Sequence, residues 1–188
     1  MKRFILTGTP GSGKTVILRQ LEVEGYSVVE EAATDVIALW QARGVAEPWT
    51  QPAFIDAIVE LQRTRQTGAP DNEKMVQFHD RSPVCAAALA TYLGFPFSRA
   101  LSCELERISM ETIFQQSVFF VRNLGFISPS NARRITFEEA LRFERIHEET
   151  YRRLGFELIY IEPGSPAHRA AAILKVVLQN MSVRGDLV

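Results

Sequence analysis

A glycine-rich stretch near the start of the chain, Gly8-Thr-Pro-Gly-Ser-Gly-Lys-Thr15, fits the pattern G-x-x-x-x-G-K-[ST] without a mismatch. Glycines let successive backbone N–H groups turn toward one point and form a nest for an anion. A helix that begins directly after such a loop adds the positive end of its dipole. Lys14 supplies a mobile cation for the β- and γ-phosphates, and Thr15 supplies a hydroxyl for Mg²⁺. The motif predicts that a nucleoside triphosphate is bound by Gly8, Thr9, Pro10, Gly11, Ser12, Gly13, Lys14, Thr15 and Val16.

A second group of polar residues, Asp80-Arg81-Ser82, ends a short apolar run. In parallel sheets, ligands bind outside the carboxyl ends of the strands, where the loop after the first strand also lies. Asp80 is therefore a candidate Mg²⁺ ligand together with Thr15, although it could instead cap the helix that follows. Arg81 beside it is a candidate for a functional role, the alternative being a surface ion pair.

Two adjacent arginines, Arg133 and Arg134, lie in a turn-rich stretch that is poor in apolar residues. A lid that closes over a reacting phosphate can carry cations to it and exclude water. We therefore expect a lid at about residues 123–137 and treat both arginines as catalytic candidates; a solvent-exposed arginine-rich loop is the alternative. Arg122 is a weaker candidate for the same task.

The apolar runs and their spacing predict the elements that would position these residues. Five strands are expected at Lys2–Thr7, Tyr26–Glu30, Met75–Asp80, Ser117–Arg122 and Phe156–Ile161. Helices are expected at 14–24, 31–43, 54–68, 83–93, 98–113, 136–154 and 167–180, with Ser82 as an N-cap. Strands separated by helices predict an α/β fold, with a five-stranded, mostly parallel central sheet covered on both faces. One domain over residues 1–188 is expected, and the spacing leaves the strand order open.

Composition excludes several classes of protein. Of the 188 residues, 46% are hydrophobic and 23% are charged, and the formal net charge is −1. These values predict a globular chain and argue against a broad nucleic-acid or membrane surface. No apolar run approaches the ~18 residues that a membrane span needs. Cys85 and Cys103 have no metal or redox spacing, so they are expected to be buried free thiols of a cytoplasmic protein.

The order of these motifs resembles that of nucleoside and nucleotide kinases. Regulatory GTPases carry N-K-x-D, and many motor-like ATPases carry Asp-Glu; neither occurs here. Asp80-Arg81-Ser82 is similar to the DR[YHS] segment of the kinases, and Glu30-Glu31 stands where deoxynucleoside-kinase-like and ribosylnicotinamide-kinase-like proteins place a carboxylate. The stretch Arg133-Arg134-Ile-Thr-Phe-Glu-Glu resembles their lid and the helix after it. The resemblance covers about residues 1–178. It extends to the small predicted-ATPase group of AAA-type domains. In that group an arginine often follows the Glu-Ala-Ala segment, whereas this chain has Thr34 at that position.

The resemblance implies Mg²⁺-dependent phosphoryl transfer from ATP to a small, nucleoside- or nucleotide-like acceptor. It implies that Glu31, or alternatively Glu30, orients or deprotonates the acceptor hydroxyl; one of the two glutamates could instead only stabilise the start of a helix. Arg81 and the lid arginines would neutralise developing charge. A slow ATPase that regulates a protein partner is the alternative. The sequence leaves open the preference for ATP or GTP, the identity of the acceptor and the oligomeric state, which includes a homodimer.

Several other residues have structural interpretations that compete with functional ones. Trp49 and Gln62 could line an acceptor pocket, whereas Trp40 is expected in the core. Glu144 and His147 have the Glu-x-x-His spacing of a carboxylate-bridged metal site, but such sites need a second copy. His147 also falls on an apolar helical stripe, so it is expected to be a packed histidine.

Overall fold

The structure is a computed structural model, and it describes residues 1–8, 11–68, 75–122 and 137–182. The strands are β1 (Lys2–Thr7), β2 (Ser27–Val29), β3 (Val76–Asp80), β4 (Ser117–Val121) and β5 (Glu157–Ile161). The helices are α1 (Lys14–Val23), α2 (Ala33–Ala42), α3 (Ala53–Gly68), α4 (Pro83–Leu93), α5 (Arg99–Met110), α6 (Phe137–Arg153) and α7 (Pro166–Ser182). A short 3₁₀ helix, Pro48–Thr50, lies in the predicted loop before α3.

The five strands form one parallel sheet in the order β2-β3-β1-β4-β5. Strand β1 is central, and its residues Phe4, Ile5 and Leu6 are fully buried because helices cover both faces. The predicted α/β class with a five-stranded parallel sheet is confirmed. All the strands point the same way, so their carboxyl ends meet at one edge. Since β1 pairs with β3 in a register that sets Leu6 opposite Asp80, the segments after these two strands are neighbours.

Each face of the sheet has its own apolar core. Helices α1 and α7 cover one face, where Ile17, Leu21 and Ile173 pack against the strands. On the other face, α4 and α6 contribute Val84 and Tyr151. A third cluster joins α2, α3, α4 and α5, with Ala32, Val36, Phe54, Ile58, Ala87 and Leu101 buried in it. This cluster builds a wall beside the carboxyl edge of the sheet.

Most predicted boundaries lie within one or two residues of those observed, and Ser82 is the N-cap residue of α4 as predicted, but two local details differ from expectation. Helix α2 begins at Ala33 rather than at Glu31, because the Glu31 carboxylate accepts the N–H of Thr34 from outside the helix at 3.2 Å. Ser82 occupies the N-cap position of α4 but makes no capping hydrogen bond. Its hydroxyl is instead 2.8 Å from the hydroxyl of Tyr151 on α6.

Both cysteines are free, as predicted, but only Cys85 is buried; Cys103 on α5 is exposed, so its predicted burial is wrong. Within the described ranges, every helix is too short or too polar to cross a bilayer.

Candidate active site

The described part of the glycine-rich loop has a backbone that only glycine adopts readily. Gly8, Gly11 and Gly13 have φ values of 132°, 86° and 85°, a region in which L side chains are disfavoured. A Cβ on Gly8 would lie 2.4 Å from the carbonyl oxygen of Val121 at the end of β4. Thr9 and Pro10 lie outside the described residues. The loop thus passes directly over the end of β4 and enters α1, whose amino end lies behind it.

Lys14 lies at the start of α1 with its ammonium group folded back over the loop. Nζ donates to the carbonyl oxygen of Gly8 at 2.9 Å and to Oγ of Ser12 at 3.2 Å. Burial, and then the nearby Arg81 cation, lower the pKa of Lys14 to about 7, against the opposing effects of Asp80 and Glu31. An anion in the loop would favour the charged ammonium. Lys14 also lines the cleft described below.

Asp80 ends β3 beside the loop, and its environment fits a cation. The side chain is 7% exposed, and Oδ1 is buried without a hydrogen-bond partner among the described residues. Burial raises the pKa of Asp80, although Lys14 and Arg81 act in the opposite direction. Thr15 lines the same cleft. The described ranges contain no group of three or more His, Cys, Asp or Glu side chains that could hold a metal alone. Mg²⁺ usually takes only one or two protein oxygens and completes its shell with phosphates and water, and Asp80 and Thr15 fit this pattern.

Arg81 has a backbone conformation that is rare for a side chain of its size. Its φ is 73°, which costs about 1–3 kcal/mol in a non-glycine residue. The backbone N–H donates to the carbonyl oxygen of Leu6 at 3.0 Å, so β1 holds this conformation. Nε lies 3.3 Å from Oε1 of Glu31. The strained backbone therefore turns Arg81 toward the start of α2.

The two adjacent glutamates lie in different environments. Glu31 lines the cleft, and its second oxygen accepts the hydroxyl of Thr34 at 2.5 Å. Burial alone would raise the pKa of Glu31, but Arg81, Thr34 and Lys14 outweigh it, so the pKa lies below its ordinary value. Glu30 points away from the cleft and forms an exposed ion pair with Arg19. Of the two candidates for an acceptor base, only Glu31 faces the cleft.

A cleft of about 630 Å³ joins the loop to an apolar chamber. Gly11, Gly13, Lys14, Thr15 and Val16 line one end, Glu31, Asp80 and Arg81 lie at the middle, and Ile37, Trp49, Phe54, Ile58, Leu89 and Phe143 line the chamber. Gln62 on α3 also lines it, and its Oε1 is buried without a partner among the described residues. The arrangement offers an anion site, an ionised carboxylate and a pocket for a flat apolar group.

The structure brings together most of the predicted residues that it describes. Trp49 and Gln62 line the chamber, whereas Trp40 packs on Phe54 with ring centroids 6.2 Å apart. Arg133 and Arg134, with the predicted lid up to residue 136, lie outside the described residues, so the lid stays a prediction.

Two residues with competing interpretations have structural roles. Arg122 turns away from the cleft to Glu144 and Glu148 at 3.2 and 3.0 Å, and it stacks over the ring of Tyr160. It links β4 to α6, and its lid-like role stays a prediction. His147 is fully buried, and its Nδ1 donates to the carbonyl oxygen of Phe143 at 3.2 Å. It is the packed histidine that the helical stripe predicts.

Sequence reasoning missed the chamber residues of α4 and α6. Leu89, Tyr92 and Phe143 line the cleft, but in the sequence they belong to ordinary apolar helical stripes. Ring centroids of Tyr92 and Phe143 are 4.9 Å apart. Only the packing of α6 against α4 turns these rings into a wall, so no local signal identifies them.

The comparisons with known proteins agree with this geometry. A family model described as an AAA domain matches residues 3–169. A deoxyadenosine kinase from M. mycoides, solved with the product dCMP and a flexible dCDP, has a TM-score of 0.62 at 13% identity, covering 94% of this chain and 99% of that one. The same enzyme with dCTP has a TM-score of 0.61 at 13% identity, covering 95% and 100%. A NadR protein in complex with NAD and AMP-PNP has a TM-score of 0.63 at 16% identity, covering 93% of this chain and 49% of that one. No curated protein sequence matches. At these identities the likeness shows a P-loop kinase-like fold.

Replacing Gly8 with alanine is expected to damage the loop. The new Cβ would lie 2.4 Å from the backbone carbonyl oxygen of Val121. Because this carbonyl belongs to β4, it cannot easily shift, so the free energy of unfolding should fall by about 1–3 kcal/mol. Nucleotide affinity should fall with it, as measured by titration with an ATP analogue. Gly68→Ala is the matched control, since a Cβ there has open space. Native affinity in the Gly8→Ala protein would contradict the proposed close contact between Gly8 and the end of β4.

Proposed function

The chain belongs to the AAA-domain family, and we propose that within this family it transfers the γ-phosphoryl group of ATP, with Mg²⁺, to a hydroxyl of a small nucleoside-like acceptor. The observation that carries the proposal is the continuity of the cleft. An anion-binding loop at one end and an apolar chamber at the other meet at Glu31, Asp80 and Arg81. Phosphoryl transfer needs this arrangement of donor site, acceptor site and charged groups between them.

On the donor side, the glycine loop and Lys14 hold the β- and γ-phosphates. The Thr15 hydroxyl and Oδ1 of Asp80 would hold Mg²⁺, which neutralises phosphate charge when it is bound. The unpartnered Asp80 oxygen supports this assignment. The 7% exposure of Lys14 supports a dry environment in which its charge acts strongly on the phosphates.

On the acceptor side, Glu31 accepts the proton of the attacking hydroxyl. The acceptor oxygen forms a bond to the γ-phosphorus, the bond from that phosphorus to the β–γ bridging oxygen breaks, and ADP leaves with the electron pair. A carboxylate with a lowered pKa is ionised at neutral pH, so Glu31 can accept a hydrogen bond from the hydroxyl and orient it, and it takes the proton only as the bond to phosphorus forms. Arg81 neutralises charge on the transferring group, and Arg133 and Arg134 are proposed to close over it.

The charges of the cleft favour an acceptor without a phosphate of its own. Among the lining residues that the structure describes, the basic ones are Lys14 at the loop and Arg81, which pairs with Glu31. The chamber is lined mostly by apolar residues, with Gln62, Tyr92 and Glu139 as polar exceptions. A flat, uncharged ring with an N–H donor fits this chamber, because it would satisfy the buried Oε1 of Gln62. A nucleoside meets this description, and the nucleotide ligands of the structural neighbours support it.

The proposal is tested by following ADP and free phosphate separately. The protein, ATP and Mg²⁺ are incubated with and without pooled nucleosides, nucleotides and nicotinamide or thiamine precursors. ADP that appears only with the nucleoside pool, without matching free phosphate, is the expected result. ADP and phosphate that rise together regardless of the pool would contradict it and favour the slow ATPase.

Replacing Gln62 with leucine is expected to raise the acceptor KM by about 10-fold or more, because a buried hydrogen bond to the acceptor is lost. The KM for ATP should stay within about twofold, since Gln62 lies in the chamber and not at the loop. Gln179→Leu, on the exposed side of α7, is the matched control. Equal changes in both KM values would show that Gln62 supports the whole cleft rather than the acceptor.

A further inference from the structure

Arg169, in the first turns of α7, reaches the glycine loop from behind. Its side chain is 3% exposed. Nη1 donates to the carbonyl oxygen of Ser12 at 2.8 Å, and Nη2 donates to that of Arg122 at 3.2 Å. One guanidinium group therefore joins the loop to the end of β4. Arg169 is absent from the residues that line the cleft, so it acts on the loop without facing a ligand there.

The hydrogen bond to Ser12 sets the direction of the next N–H group. A trans peptide is planar, so the carbonyl of Ser12 and the N–H of Gly13 point in opposite directions. Because Arg169 holds the carbonyl on the side away from the cleft, the Gly13 N–H is directed toward the cleft, which Gly13 lines. Gly13 has a φ of 85°, and glycine has low barriers to other conformations. Without Arg169, this peptide would lose the contact that selects its orientation.

The buried positive charge of Arg169 would also favour an anion in the loop. A buried guanidinium is costly unless other groups compensate it, and here two backbone carbonyls bind it while its Nε has no partner among the described residues. Burial lowers the pKa of Arg169, against a smaller effect of Glu162. A polyanion bound in the loop would lie on the other side of the Ser12–Gly13 peptide and would supply the missing negative charge.

We propose that Arg169 is a positioning residue for the bound triphosphate: it orients the Ser12–Gly13 peptide so that the Gly13 N–H faces the phosphates, and it places a buried positive charge behind them. The proposal rests on the ATP-binding part of the proposed function and is independent of the acceptor. It predicts a contribution to nucleotide affinity from a residue 157 positions away from Ser12 in the chain.

The test compares Arg169→Met and Arg169→Lys with Lys175→Met, an exposed lysine on the same helix that serves as the control. Affinity for AMP-PNP with Mg²⁺ is measured by calorimetry, and the Gly13 amide is followed by ¹H–¹⁵N NMR with and without the nucleotide. Arg169→Met is expected to weaken AMP-PNP binding by about ten- to a hundredfold, the effect of losing charged hydrogen bonds. It should also abolish the downfield shift that the Gly13 amide shows in the native protein when a phosphate accepts its hydrogen bond. Arg169→Lys keeps the charge but cannot bridge both carbonyls, so it should recover part of the affinity.

Three results separate the possibilities. Native affinity and a native Gly13 shift in Arg169→Met, even with a lowered Tm of the free protein, would overturn the proposal and leave Arg169 as a packing residue. If Arg169→Met does not fold, native affinity in Arg169→Lys overturns the proposal, and affinity weakened by about fivefold or more supports it. If the native protein itself does not bind AMP-PNP, the proposed function is overturned. If the native protein binds and the Arg169 variant binds equally well, only the role of Arg169 is overturned.

Discussion

Replacing Lys14 with methionine is expected to lower kcat/KM for ATP by about 10²-fold or more, because the transferring phosphoryl group loses a buried cation. The fold should not suffer. Burial lowers the pKa of Lys14 to about 7, so the charged form costs folding free energy, and methionine removes that cost while keeping most of the chain length. ADP formation and the Tm of the free protein are measured together. Lys175→Met is the control, and turnover at the native rate in Lys14→Met would overturn the assignment.

The same lysine predicts a pH dependence. With a pKa of about 7 in the free protein, Lys14 is mostly neutral at pH 8, whereas a bound triphosphate favours its charged form. ATP binding above pH 7 should therefore take up a proton, and the affinity should fall as the pH rises. Calorimetry in buffers of different ionisation enthalpy measures the uptake. Lys14→Arg should abolish the uptake, because arginine stays charged throughout.

Lys14 also links the stability of the free protein to pH. Its pKa is about 7 in the folded state against an ordinary value of 10.5 for an exposed lysine, so the unfolded chain binds more protons between these two values. The contribution of Lys14 to the free energy of unfolding therefore rises as the pH increases from about 7 to 10. Denaturant titrations across this range should show that the free energy of unfolding rises more steeply with pH in the native protein than in Lys14→Met.

Glu31→Gln is expected to reduce acceptor phosphorylation by about 10²- to 10⁴-fold, the usual contribution of a general base. Binding of AMP-PNP should stay within a few-fold, because Glu31 lies between the loop and the chamber rather than in the loop. Glu30→Gln is the matched control, since Glu30 is exposed and pairs with Arg19. A native rate of acceptor phosphorylation in Glu31→Gln would contradict the role of base.

Two details keep the Glu31 test sharp. Glu31→Gln leaves the 12% exposed Arg81 without its carboxylate, so Tm is measured alongside, and Glu31→Asp provides a variant that keeps the charge. The pKa of Glu31 lies below its ordinary value, so the carboxylate is ionised at neutral pH and loses its charge only as the pH falls through the lowered pKa. The acidic limb of the kcat profile that belongs to Glu31 should accordingly lie at a lower pH than that of an ordinary glutamate.

The sequence determined the elements and the type of loop. The G-x-x-x-x-G-K-[ST] pattern depends on local backbone freedom, and Gly8, Gly11 and Gly13 do adopt the conformations that L side chains avoid. Short apolar runs predicted buried parallel strands, and β1 matches its predicted range, Lys2–Thr7. Such features are local, because the φ preference of a glycine or the polarity of a strand depends little on distant residues.

Only the tertiary structure decided which residues meet. The order β2-β3-β1-β4-β5 places Asp80 beside the loop and turns Glu31, but not Glu30, into the cleft. The chamber needs rings from α4 and α6, and Arg169 meets Ser12 across 157 positions of the chain. Periodicity shows which face of each element is apolar, but the neighbour of that face depends on how all the elements pack around one sheet, which no local pattern encodes.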